Sequence, residues 1–98
     1  MTNDTDEKFY ARADAHIQLA NGHLADAAPG KASASMMFAA SRFNAWISAK
    51  DFPSGAEMET KREEIIEYFT SQYRAMLTDN VNNYIEHFDA FMNPKGQS

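Results

Sequence analysis

The chain has 98 residues, of which 44% are hydrophobic and 12% aromatic, and its formal net charge is −5. This composition and length are those of one globular domain and exclude a disordered chain, while the absence of cysteine excludes disulfides and thiolate chemistry. The acidic, polar N-terminus is unlike a signal peptide, and no apolar run approaches the roughly 20 residues that cross a bilayer.

The first predicted helix starts at Asp4 or Thr5, where Asp4 and Glu7 have the spacing of a capping box. Its apolar residues recur with helical periodicity and form one stripe: Phe9, Ala13, Ile17, Ala20, Leu24 and Ala27. Pro29-Gly30 ends the helix, because proline disfavours helical geometry at the residue before it.

The central predicted helix begins between Gly30 and Ser33 and runs to about Ala49. It is apolar on nearly every side. The predicted inward line consists of Met36, Ala40, Phe43 and Ile47. A second stripe, on the side away from that line, consists of Phe38, Arg42 and Trp46. A helix of this kind is normally buried on more than one face. The pattern therefore predicts that the other helices pack around it.

A second capping box, Ser54 with Glu57, opens a helical pattern that persists from Gly55 to about Met92. Unbroken, the stretch from residue 57 to residue 92 would be about 54 Å long, whereas a compact globule of this size is roughly 30–35 Å across. Poor helix formers follow one another from Thr78 to Asn83, so a kink or break is predicted near Thr78–Asn80.

Together these elements predict an all-α fold, a small helical bundle of three long helices with the third kinked or broken near Thr78–Asn80. The whole chain, residues 1–98, is interpreted as a single helical domain that is ordered from about residue 4 to residue 93 and frayed at both tails.

Motifs that carry chemistry are absent from the sequence. His16 and His23 are seven positions apart, about 10.5 Å along a helix, which is too far to share a metal ion directly. There is no Glu-x-x-His pair, no Gly-x-Ser-x-Gly elbow and no glycine-rich phosphate loop. The sequence therefore predicts no catalytic residue, no metal site and no cofactor.

Two polar residues of the central helix are candidates for a functional role. Arg42 lies between Phe38 and Trp46 at helical spacing, so its guanidinium could stack on either ring or pair with a carboxylate of a neighbouring acidic helix. Asn44 lies on the inward flank, where an amide needs hydrogen-bond partners. Phe38, Arg42, Asn44 and Trp46 are accordingly the candidate interaction or ligand contacts, with a purely structural role as the alternative.

Several stretches resemble a known family. They are Phe9-x-x-Arg12-Ala13-Asp14-x-His16-Ile17-x-Leu19-Ala20-Asn21, Gly30-Lys31-x-Ser33-Ala34-Ser35, Ala39-Ala40-x-Arg42-Phe43-Asn44-Ala45 and Tyr68-Phe69-x-x-Gln72-Tyr73-x-x-Met76-Leu77. They are similar to the small bacterial proteins of the family called domain of unknown function 3144, over about residues 9–91. The resemblance implies a bacterial origin and a small helical fold, and it brings no activity or functional residue with it.

The functional prediction is a cytoplasmic, non-catalytic protein–protein interaction module that has an unidentified protein partner and is able to form a homodimer. A homodimer is expected if the segment from Val81 to Met92 extends away and does not fold back. In that case the segment and the stripe of Phe38, Arg42 and Trp46 both stay exposed in one chain. The alternative is an enzyme or small-ligand-binding protein with a pocket near Arg42 and Asn44. Nucleic acid and membranes are not expected partners, because no concentrated basic face or membrane-spanning run exists.

Overall fold

The computed structural model describes residues 5–94, which form five helices and no strand. The helices are α1 (Phe9–His23), α2 (Pro29–Ala49), α3 (Gly55–Glu59), α4 (Arg62–Glu86) and α5 (Phe88–Met92). The chain divides into two units, Met1–Ile47 and Ser48–Ser98. The predicted all-α class is confirmed.

Helix α1 begins at Phe9, later than the predicted start at Asp4 or Thr5. Thr5 is not helical, and the predicted cap at Asp4 lies outside the described residues. Asp6 organises this start instead, because its Oδ1 accepts hydrogen bonds from the Lys8 backbone N–H at 3.0 Å and from the Arg12 guanidinium at 3.2 Å. The Lys8 N–H and, secondarily, the Arg12 side chain lower the pKa of the Asp6 carboxyl from its ordinary value of 3.8.

The apolar stripe predicted for α1 is only partly covered. Phe9, Ala13 and Ala20 are half-buried on this helix, as is Ala27 just beyond it, whereas Tyr10, outside the stripe, is 75% exposed. Ile17 and Leu24 of the same stripe are 49% and 44% exposed, so the single chain leaves part of the predicted face uncovered.

Helix α2 begins at Pro29, whose ring fits the first turn of a helix, and it ends at Ala49 as predicted. Its few covered residues do not form the predicted inward line. Ala32 is the one buried residue among residues 5–94, and Asn44 and Ser48 are half-buried. Phe43 was predicted at the middle of the inward line, which is wrong for the single chain, because this side chain is 60% exposed.

Helix α3 is a single short turn with a defined start. The Glu57 backbone N–H donates to the Ser54 side-chain oxygen at 3.2 Å, and Ser54 has extended backbone geometry. This satisfies one of the N–H groups that a helix start leaves without an intrahelical acceptor. The predicted cap at Ser54 is confirmed.

Helix α4 is continuous from Arg62 to Glu86, so the predicted break near Thr78–Asn80 was wrong. The poor helix formers there each cost a few tenths of a kcal/mol, and none is a glycine or a proline that would force an interruption. Asn80 instead donates from its side chain to the Met76 carbonyl at 2.9 Å, inside the helix. The helical pattern is interrupted at Thr60 and Lys61, and again at His87.

Backbone hydrogen bonds continue on both sides of the interruption at His87. The His87 N–H still donates to the Asn83 carbonyl at 3.0 Å, and the Phe91 N–H donates to the His87 carbonyl at 3.1 Å. Across this point the Tyr84 and Phe91 rings are in contact, with centroids 4.7 Å apart. Phe91 of α5 therefore lies beside Tyr84 of α4.

Candidate interaction surface

The α2 stripe consists of Phe38, Arg42 and Trp46, which follow one another at intervals of four residues along the helix. Phe38 is 67% exposed and Trp46 is 55% exposed. Trp46 contacts Phe43, with ring centroids 5.6 Å apart and planes inclined at 37°. The helix thus presents a row of large aromatic side chains with a cation in the middle.

The side chain of Arg42 is exposed and makes no hydrogen bond or ion pair with any of residues 5–94. The carboxylate partner that a structural anchor would need is thus not among the described residues. Lys31 and Lys50 lie near the two ends of the same helix, and residues 28–50 contain no acid. The segment that contains Arg42, residues 28–50, therefore carries only positive formal charge.

Asn44 differs from the α2 stripe in its surroundings. It is half-buried and takes part in an interaction. The structure therefore places Asn44 beside the less exposed side of α2, and Phe38, Arg42 and Trp46 on the exposed side.

A second apolar surface lies on the later half of α4 and on α5. We name it the α4 seam: Leu77, Val81, Tyr84 and Phe88, with Phe91 added through its ring contact with Tyr84. The spacing of four, three, four and three residues is that of a coiled-coil contact line. These five side chains are between 46% and 54% exposed, so the seam is uncovered over its whole length.

Two hollows adjoin the α4 seam and share Leu77 and Val81. The larger, of about 700 Å³, is lined on its other side by polar groups that include Glu67, Thr70 and Arg74. The smaller, of about 460 Å³, is lined mainly by the apolar side chains of the seam itself. Neither hollow is lined by Arg42 or Asn44.

Arg74 is a residue that the sequence pattern did not single out. Its side chain lines the larger hollow and makes no hydrogen bond or ion pair with any of residues 5–94. Its position three residues before Leu77, on the same side of the helix as the seam, was the available signal.

The remaining polar chemistry of the described residues is sparse. Residues 5–94 contain no group of three or more side chains placed to hold a metal ion. The ion pairs that they form on the surface include Arg12 with Asp6 at 3.2 Å, Lys61 with Glu64 at 3.5 Å, and Arg62 with Glu63. Within the same part of the chain, none of the helices combines the length and the apolar character that crossing a bilayer requires.

The fold and these surfaces define a class of small all-α protein whose helices expose much of their apolar surface in the single chain. The chain belongs to the family described as protein of unknown function (DUF3144), whose model matches residues 9–85. The structure is similar to the NMR structure of the protein NB7890A from Shewanella sp., with a TM-score of 0.75 and 35% sequence identity. That similarity covers 98% of this chain and 100% of the other. No curated protein matches the chain.

Proposed function

We propose that this protein is a non-catalytic protein–protein interaction module that self-associates as a homodimer. The observation that supports the proposal is the exposure of its large apolar side chains. Of residues 5–94 Ala32 alone is buried, while Phe38, Phe43, Trp46, Tyr84 and Phe88 are all at least half exposed. Side chains of this size dominate the energetics of cores and interfaces, and contiguous exposed patches mark interaction sites.

In this proposal the complete apolar core exists only in the assembled protein. The whole chain then acts as one helical domain, and α1, α2 and α4 form the three long helices of a bundle when their apolar faces are covered. A chain of 98 residues buries a comparatively small fraction of its surface by itself, so a second chain adds a large share of the stability. Closed two-fold pairing is the commonest form of such association.

Sedimentation equilibrium over micromolar concentrations tests the self-association. We expect a species of twice the 11.0 kDa chain mass that dissociates on dilution. An 11.0 kDa species at every concentration would contradict the proposal.

The α2 stripe is the proposed contact for a second, different protein. Its aromatic rings offer apolar area, and the charge of residues 28–50, +3 from Lys31, Arg42 and Lys50 with no acid, favours an acidic partner segment. Asn44 lies on the half-buried flank of the same helix. The cytoplasm is the proposed location for both interactions.

A matched pair of charge reversals tests the α2 stripe. Proteins retained from a host extract by the wild-type chain should be lost with Arg42→Glu and kept with Arg62→Glu, because Arg62 lies outside the stripe and pairs with Glu63. Equal retention by both variants would show that Arg42 takes no part in the contact.

A further inference from the structure

We propose that the homodimer forms through the α4 seam, which packs antiparallel against the same seam of a second copy of this chain. This inference rests on the proposed self-association and identifies its surface.

The spacing of the seam residues indicates that the seam packs against another helix. Leu77, Val81 and Tyr84 of α4 keep the alternation of four and three residues that lets one helix pack along another, and Phe88 follows four residues later at the start of α5. The same stretch contains the poorest helix formers of α4, from Thr78 to Asn83, and yet it is helical throughout. Helices in proteins gain most of their stability from packing of an apolar face, so this half of α4 needs a cover.

The two hollows are shallow and lie on either side of one point of the helix. They share Leu77 and Val81, with Tyr84 and Phe88 toward one end and Arg74 toward the other. A two-fold axis between Leu77 and Val81 exchanges these ends, as a symmetric interface requires. The rings of one chain then enter the larger hollow of the other.

Arg74 gains a partner in this arrangement. Residues 74 and 84 are equally far from the midpoint between residues 77 and 81, so the axis brings Arg74 beside Tyr84 of the partner subunit. A guanidinium over a tyrosine ring is a favourable contact, and it becomes stronger when water is excluded. The side chain of Arg74 makes no hydrogen bond or ion pair with residues 5–94 that would compete with this contact.

The charges of α4 select the antiparallel direction. Its first turns carry Glu63, Glu64 and Glu67, and a parallel pair would bring these carboxylates together with their copies. The antiparallel pair separates the two Glu67 positions by about 36 Å along the axis, which is well beyond the screening length at physiological salt. Asp79 and Glu86 belong to the same stretch of α4 but lie on the side of the helix opposite to the seam, so they do not oppose pairing.

The exposed area is sufficient for a stable interface. Tyr84, Phe88 and Phe91 each expose about half of a ring side chain, roughly 100 Å² apiece. Leu77, Val81, Ile85 and Met92 are also between 46% and 70% exposed. The surface available to each chain is thus about 700 Å², near the roughly 800 Å² per partner of a standard interface.

Sedimentation equilibrium of two substitutions tests the surface. Phe88→Asp places a charge in the seam and should weaken dimerisation at least about 100-fold. Tyr10→Asp, at a more exposed ring on α1 and outside both proposed contact surfaces, should leave the dimerisation constant unchanged. Helicity measured by circular dichroism confirms that both variants are folded. A dimer that tolerates Phe88→Asp would overturn the inference and leave the proposed self-association intact.

Cysteine cross-linking tests the direction, because the chain has no cysteine of its own. Asn80→Cys lies next to the two-fold axis and should give a disulfide-linked dimer under mild oxidation. Glu67→Cys, about 36 Å from its copy, should not. Cross-linking through Glu67→Cys alone would make the pair parallel and overturn the inference. An uncross-linked 11.0 kDa monomer in every experiment would instead contradict the self-association itself.

Discussion

The Trp46 ring lies against the Phe43 ring with centroids 5.6 Å apart, while both side chains remain more than half exposed. Two aromatic residues that would usually anchor a core here form a pair on the surface of α2. Because the chain contains one tryptophan, its fluorescence reports on the surroundings of Trp46. Several properties of the protein follow from such local contacts and can be measured separately.

Phe43→Ala tests how much the aromatic pair contributes. The helical pattern by itself would assign Phe43 to the core and predict a loss of roughly 3–5 kcal/mol. Since the side chain is 60% exposed, we expect a loss of about 1 kcal/mol, the energy typical of an aromatic pair, and a red shift of the Trp46 emission. Chemical unfolding followed by circular dichroism measures the free energy. A loss above 3 kcal/mol would mean that Phe43 is buried in the assembled protein.

Ala32→Leu tests the buried site on α2. A larger side chain at a position that is 8% exposed must displace its neighbours, and we expect a loss of about 1–3 kcal/mol in the free energy of unfolding. Ala39→Leu is the matched control on the same helix, because Ala39 is exposed and leucine is a good helix former. Equal stability of the two variants would show that Ala32 has room beside it.

Ser54→Ala tests the start of α3. Removing the side-chain oxygen leaves the Glu57 N–H without its acceptor and should cost about 1 kcal/mol, which is several degrees in the melting temperature. Ser71→Ala is the control, since its hydroxyl only donates to the Tyr68 carbonyl within α4. If the two variants melt together, the Ser54 cap contributes nothing measurable.

Asn83→Ala tests the continuity of α4. At a helical position alanine is more favourable than asparagine, so we expect the variant to be more stable by about 0.5 kcal/mol. Asn93→Ala, beyond the last turn of α5, should give no such gain. A destabilised Asn83→Ala variant would argue that the helix does not continue through this position.

Asp6 gives a prediction for acidic pH. The Lys8 N–H, and after it the Arg12 guanidinium, lower the pKa of its carboxyl in the folded chain. The stabilisation that Asp6 adds to the start of α1 is therefore present above the ordinary value of 3.8 and is lost as the pH falls through the lower folded value. A carboxyl titration by NMR should show Asp6 below 3.8, and Arg12→Gln should move it upward. An Asp6 signal that titrates at or above 3.8 would contradict this account.

Much of the local structure was predictable from the sequence. The Ser54 cap and the end of α2 at Ala49 depend on neighbours within a few residues, which a pattern of spacing records directly. The sequence also singled out Phe38, Arg42 and Trp46, because one stripe of α2 carries both large rings and a cation.

Only the tertiary structure decided which apolar surfaces are covered. Phe43 and Asn44 are neighbours on α2, yet the phenylalanine is exposed and the amide is half-buried. The predicted break near Thr78–Asn80 assumed that one compact chain covers all its apolar residues, but a continuous α4 leaves Tyr84 and Phe88 exposed. Helical periodicity determines which residues share a face, whereas the cover of that face depends on contacts between distant segments or separate chains, which periodicity does not record.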